Sequence, residues 1–136
     1  MSTATSNAGL VQQLIDDGSL KSESIITAFK EVDRKIFFPP HLHAKLNIYA
    51  NTPLREPCEN SGFYHQSQPL IYGRVLERLM PINPGMSFLN VGSGTGYFST
   101  LVSYFLGEGT SCQTHKYVNI TLYFLYIFRS HIYFKK

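Results

Sequence analysis

The residues best suited to chemistry run from Ser87 to Tyr97, Ser-Phe-Leu-Asn-Val-Gly-Ser-Gly-Thr-Gly-Tyr. Phe88 to Val91 is mostly apolar and strand-like. Gly92, Gly94 and Gly96 follow at alternate positions, and Phe98 to Leu106 has the composition of a helix. A strand that breaks into a glycine-rich turn and then a helix gathers main-chain N–H groups at a helix N-terminus. Glycine lets that backbone turn sharply and lets a ligand come close to it. The chemistry implied is cofactor binding at the opening of an α/β domain. The alternative is a tight strand-to-helix turn that holds nothing.

Spacing narrows the ligand. Dinucleotide folds use Gly-x-Gly-x-x-Gly, whereas here the third glycine is Gly96 and position 97 is Tyr. Gly-x-Gly-x-Gly favours the related loop of methyltransferases that use S-adenosylmethionine over a nicotinamide or flavin site. Other candidates are weaker. His41 and His43 share a strand face but have no third ligand, so a surface loop is the better reading. Cys58 and Cys112 have no metal spacing, and no metal site is expected. Two cysteines make no disulfide framework and fit a reducing compartment. Asn119-Ile120-Thr121 is a glycosylation sequon by pattern only.

The elements that must position the glycine loop are legible upstream. Gly9 to Ile15 reads as a short amphipathic helix ended by Asp17-Gly18. Ser22 is the expected N-cap of a second helix, with Glu23 in its first turn and Ile25, Ile26, Phe29 and Val32 at helical spacing. Phe38-Pro39-Pro40 ends that unit, and His41 to Ser61 reads as loop. Ser67 is the expected N-cap of a third helix, with Pro69 in its first turn. Its apolar stripe is Ile71, Val75 and Leu79, widened by Leu76 and Met80, while Arg74, Glu77 and Arg78 face away. Pro81 to Gly85 is a turn. The expected order is helices, helix, strand, glycine loop, helix.

At 136 residues, 43% hydrophobic and 15% charged, the chain has the length and composition of one globular domain. The net charge of +3 is uneven. Residues 1–109 hold eight Lys or Arg and nine Asp or Glu, whereas residues 110–136 hold Lys116, Arg129, Lys135 and Lys136 and no acid. The basic excess belongs to the tail, so no nucleic-acid partner is expected. Tyr117 to Phe128 is a twelve-residue mostly apolar run, too short to span a bilayer, and no stable membrane insertion is expected. No secretory signal is read in the polar stretch Met1 to Gly9.

Three stretches together resemble the protein-L-isoaspartate O-methyltransferase family. Val32-Asp33-Arg34 followed by Phe38-Pro39 is similar to the family's early Arg…Phe-Val-Pro segment. Gly62 to Pro69, with Ser67-Gln68-Pro69, is similar to its substrate loop. Phe88 to Tyr97 is similar to its first methyltransferase motif. The resemblance covers residues 9–109, the N-terminal half of such a domain. It implies a truncated Rossmann-like α/β fold, followed from residue 110 by a non-family apolar, basic tail (110–136), irregular or strand. That tail reads as translated AT-rich sequence, and pairing beside Phe88–Val91 as a substitute second strand is one expectation for it.

The resemblance also implies site roles. The cofactor would be S-adenosylmethionine, held by Asn90, Gly92, Ser93, Gly94 and Gly96. Ser67 would contact the α-carboxylate of an isoaspartyl residue in a damaged protein, with helix capping as its structural alternative. His65 stands where the enzymes carry Thr and is the second catalytic candidate; Gln66 and Tyr64 also depart from the pattern. Asn90 and His65 match a divergent branch, the protein-L-isoaspartate O-methyltransferase domain-containing proteins. Its members bind the cofactor but act as ubiquitin-ligase substrate adaptors, which adds ligase components as partners of any longer form. The fold's ribose-binding acid is missing, since no Asp or Glu follows Glu108. Little catalysis is therefore expected of this chain, and a non-functional fragment is the remaining reading. Cytoplasm is the expected location.

Overall fold

A computed structural model describes residues 3–58, 62–107 and the backbone of 112–115. The element order is α1 (Asn7–Asp16), α2 (Glu23–Glu31), two short 3-10 turns (Arg34–Phe37 and Pro40–Leu42), β1 (Leu54–Pro57), β2 (Phe63–Gln66), α3 (Pro69–Leu79), β3 (Phe88–Val91), α4 (Tyr97–Leu106) and β4 (Cys112–His115).

The first helix starts two residues before the expected Gly9, because Ser6 accepts the Gly9 N–H at 3.1 Å and caps it. It buries Leu10, Val11 and Leu14. The turn after it closes with Ser19 and Leu20 both donating to the Leu14 carbonyl at 2.9 Å, over a left-handed Gly18. In α2, Ser22 holds the cap position but its hydroxyl does not cap. Instead Glu77 of α3 accepts the N–H groups of Lys21 and Ser22 at 2.7 and 2.8 Å, and the Ser22 hydroxyl donates to its other oxygen at 2.7 Å. Glu77 thus faces inward, against expectation. A carboxylate accepts several bonds at once and complements the positive end of α2.

The start of α3 also differs from the sequence reading. Gln68, not Ser67, precedes the helix, and no side chain of its own caps it. Asn51 caps it from a distant segment, accepting the Leu70 N–H at 3.0 Å. Ser67 donates its own N–H to the Tyr72 hydroxyl at 2.7 Å. Ile71 is 41% exposed, so the buried stripe runs through Gly73, Val75 and Leu76. Gly73 lies so close to Leu20 that a Cβ would stand 2.8 Å from its methyl group.

His41 to Ser61 holds more than a loop. β1 and β2 form an antiparallel hairpin that pairs Leu54 with Gln66 and Pro57 with Phe63. Phe38, Leu42 and Ile48 form a small separate core, with Leu46, Leu54 and Tyr64 against it. The main core joins α1, α2, α3 and α4 through Leu10, Leu14, Ile25, Phe29, Leu76, Tyr97 and Leu101.

β3 pairs in parallel with β4, Phe88 opposite Cys112 and Val91 opposite His115. The tail therefore does supply a second strand to Phe88–Val91. It does so through Cys-Gln-Thr-His, ahead of the apolar run. Tyr117 to Phe128, the sequon at Asn119 and the basic residues of the tail lie outside the described residues. On one face β3 packs Phe88 into the core. On the other, Leu89 and Val91 are 56% and 65% exposed.

Candidate functional site

The site forms where the end of β2 meets the turn after β3. Gly92, Gly94 and Gly96 all adopt the left-handed region, with φ of 76°, 56° and 91°. That conformation strains any residue with a Cβ, so the alternate glycines set the path of the turn. A Cβ on Gly92 or Gly96 would meet nothing within 4 Å, so both leave open space at the backbone. Gly94 is different. A Cβ there would collide with the His65 carbonyl oxygen. The same carbonyl accepts the Thr95 N–H at 3.3 Å. One main-chain oxygen therefore fastens the glycine loop to the hairpin. The Gly96 N–H donates to Ser93 O at 2.9 Å, so Gly96 contributes shape rather than a donor.

The other expected residues surround this latch. Asn90 lies partly buried on β3 and donates to the Ser99 hydroxyl at 2.9 Å, tying β3 to α4. Ser93 is buried. His65 sits on β2 opposite Arg55, half-buried; burial first and the Arg55 charge second hold its pKa below the usual imidazole value. Ser67 follows it, both its main-chain groups engaged, the N–H with Tyr72 and the carbonyl with Arg34 at 3.4 Å. The structure brings the His65 carbonyl against Gly94 and Thr95 of the glycine loop, with Ser67 two residues further along the chain. His41 lies in the 3-10 turn Pro40–Leu42, not on a strand, and His43 lines a separate cleft of about 390 Å³ with Lys35, Lys45 and Tyr49. Among the described residues no group of three His, Cys, Asp or Glu could hold a metal. No described helix is long and apolar enough to cross a membrane.

Two features carried no role in the sequence reading. Arg34 is fully buried beneath the hairpin end and donates to the Gln66 side chain at 2.7 Å. The only trace of it in the sequence was its place in Val32-Asp33-Arg34. Second, Gln66 Nε2, Ser93 Oγ, Thr95 Oγ1 and Tyr97 Oη are all buried without a hydrogen-bond partner. Such groups are uncommon and mark places that a water or a ligand completes. Tyr97 packs edge-on against Phe29, Phe37 and Tyr72, and burial pushes its phenol pKa upward.

A nucleotide-like cofactor needs an approachable loop, unpaired donors and a ribose acceptor. Gly92 and Gly96 supply the first, with open space at the backbone, and Ser93 Oγ and Thr95 Oγ1 lie on the loop without a partner. For the third, the described part of the strand after the loop, Cys112–His115, carries no acid of the kind this fold uses on the ribose.

Helices leading into a strand, a glycine loop, a helix and a parallel strand define part of a Rossmann-like methyltransferase fold. The chain belongs to the protein-L-isoaspartate (D-aspartate) O-methyltransferase family, whose model matches residues 5–120. It is 32% identical over 107 residues to the protein-L-isoaspartate O-methyltransferase of Methanococcus maripaludis, covering 78% of this chain and 47% of that one. It is 33% identical over 100 residues to the enzyme of that name from Aeropyrum pernix, covering 74% and 36%. The chain thus spans less than half the length of these curated relatives. Among solved structures, a Plasmodium falciparum chain described as a protein-L-isoaspartate O-methyltransferase, in complex with S-adenosyl-L-homocysteine, superposes with a TM-score of 0.61. The identity is 21%, and the match covers 76% of this chain and 43% of that one. A second structure titled protein-L-isoaspartate O-methyltransferase gives 0.61 at 25% identity, covering 79% and 33%.

Proposed function

We propose that this chain carries the substrate-facing hairpin and the cofactor loop of an isoaspartyl methyltransferase, with S-adenosylmethionine as methyl donor and isoaspartyl sites in damaged proteins as acceptors. The observation that carries it is the His65 carbonyl. It holds the Gly62–Pro69 segment against Gly94 and Thr95, so the substrate and cofactor sides meet at one point. When bound, the cofactor supplies an electrophilic methyl on a sulfonium. Gly92, Ser93, Gly94 and Gly96 would hold its methionine part, with Asn90 at the edge of β3. Ser67 would donate to the acceptor carboxylate. That carboxylate is ionised at neutral pH, so the residues' work is alignment and exclusion of water. His65, held neutral, can donate one hydrogen bond there without adding charge.

The lack of an acid in Cys112–His115 would weaken cofactor binding and slow turnover. A second reading rests on the same departures, His65, Asn90 and the acid-free strand Cys112–His115. It is a module that binds the cofactor without turnover, as an adaptor for ubiquitin ligase would. Incubation with radiolabelled S-adenosylmethionine and paired isoaspartyl and aspartyl peptides separates the two. The methyltransferase reading expects base-labile label in the isoaspartyl peptide alone. Cofactor binding with no label in either peptide overturns it in favour of the second.

A further inference from the structure

Arg34 is a buried cation with no carboxylate among its partners. Its guanidinium donates to Gln66 Oε1 at 2.7 Å and to the carbonyls of Ile48, Ala50, Thr52 and Ser67 at 3.0, 2.9, 3.2 and 3.4 Å. None of these five acceptors is a carboxylate. Charge in an interior is costly without a counter-ion, and here the five hydrogen bonds offset that cost. Burial pulls the pKa of Arg34 down to about 10, which still leaves it charged at neutral pH.

What arginine adds is geometry, a rigid planar fork with five donors. Its acceptors fall on two stretches. One is the 48–52 turn, which also supplies Asn51 as the cap of α3. The other is the end of β2, at Gln66 and Ser67. The next residue back, His65, carries the carbonyl that receives Thr95. The Ser67 N–H is meanwhile fixed by Tyr72. A single side chain thus ties the 48–52 turn to the end of the segment that faces the glycine loop.

We propose that Arg34 is a positioning residue, which ties the 48–52 turn to Gln66 and Ser67 and thereby aims the His65–Ser67 segment at the acceptor carboxylate. This rests on the substrate role given to that segment above. Arg34 touches neither ligand; it acts through Ser67 and His65. Its loss should damage acceptor binding far more than cofactor binding, because the three left-handed glycines set the path of the loop and the His65 carbonyl only fastens it at Gly94 and Thr95.

Arg34→Lys keeps the charge and loses the fork; Arg34→Met keeps the volume and loses every donor. Native-state hydrogen exchange by NMR on the full chain reads the Ser67 and Thr95 amides against Leu14 and Phe29 in α1 and α2. Arg34→Lys is expected to lower Ser67 protection at least tenfold and leave Leu14 and Phe29 within twofold. Affinity for an isoaspartyl peptide should fall at least tenfold, with S-adenosylhomocysteine affinity within twofold. Unchanged Ser67 protection overturns the proposal. So does an equal loss at Ser67, Leu14 and Phe29, which is global destabilisation. If Arg34→Met does not fold, Arg34→Lys alone decides. If the unaltered chain cannot distinguish isoaspartyl from aspartyl peptide while Ser67 protection still falls selectively, the substrate reading fails and the positioning role stands.

Discussion

Replacing Gly94 by alanine probes the contact between the hairpin and the glycine loop. Its φ of 56° puts an L-residue in the left-handed region, at about 1–2 kcal/mol. Gly92, at 76°, carries the same penalty, but its Cβ would enter open space. Only at Gly94 does the new methyl meet the His65 carbonyl oxygen. The loop must then move, and the Thr95 N–H loses its acceptor, worth about 0.5–1.5 kcal/mol. Displacing packed neighbours adds about 1–3 kcal/mol. Gly94→Ala should therefore cost about 1.5–4.5 kcal/mol more than Gly92→Ala in urea unfolding. It should also abolish the exchange protection of the Thr95 amide, which Gly92→Ala leaves in place. Equal costs within about 0.5 kcal/mol, with Thr95 protected in both, would refute the contact.

Three further outcomes follow from the partners described above. Glu77→Ala should destabilise by about 0.5–2 kcal/mol at pH 7, the range for a lost helix cap. Burial raises the Glu77 pKa, but the Ser22 and Lys21 bonds outweigh it and hold it below 4.5. The stability it adds is therefore present above pH 4.5 and is lost as pH falls below it, so urea midpoints of the two proteins should converge there. Arg55→Gln should raise the His65 pKa toward 6.5 in an NMR titration, since the Arg55 charge is one cause of its depression; no change would remove that cause. Tyr97→Phe deletes a buried hydroxyl without a partner and should leave the ligand-free chain about 1 kcal/mol more stable. A loss of that size instead would mean that a bound water satisfies the hydroxyl.

The helices and β3 were legible because their signals are local. Leu10, Leu14, Ile25 and Phe29 recur at helical spacing, and the three glycines mark the turn before α4. What was not legible depends on distant partners. Ser22 and Ser67 look like caps, but Glu77 and Asn51 do that work from 55 and 19 residues away. β1 and β2 are four residues each, β1 preceded by Pro53 and ended by Pro57, and only their pairing makes them strands. β4 is a polar tetrapeptide with no alternation to reveal it. The candidate site divides the same way. His65, Ser67 and the glycine loop were readable as separate motifs, whereas the latch between them and the Arg34 fork exist only after folding.

The central claim is that the Gly92–Gly96 turn receives the methionine part of S-adenosylmethionine beside the His65–Ser67 segment. An NMR titration of the chain with S-adenosylhomocysteine tests it most directly. Saturable shifts should appear at the amides of Asn90 to Gly96 and at His65. Shifts confined to Thr5, Lys35 and residues 43–49, or none at millimolar ligand, would contradict it.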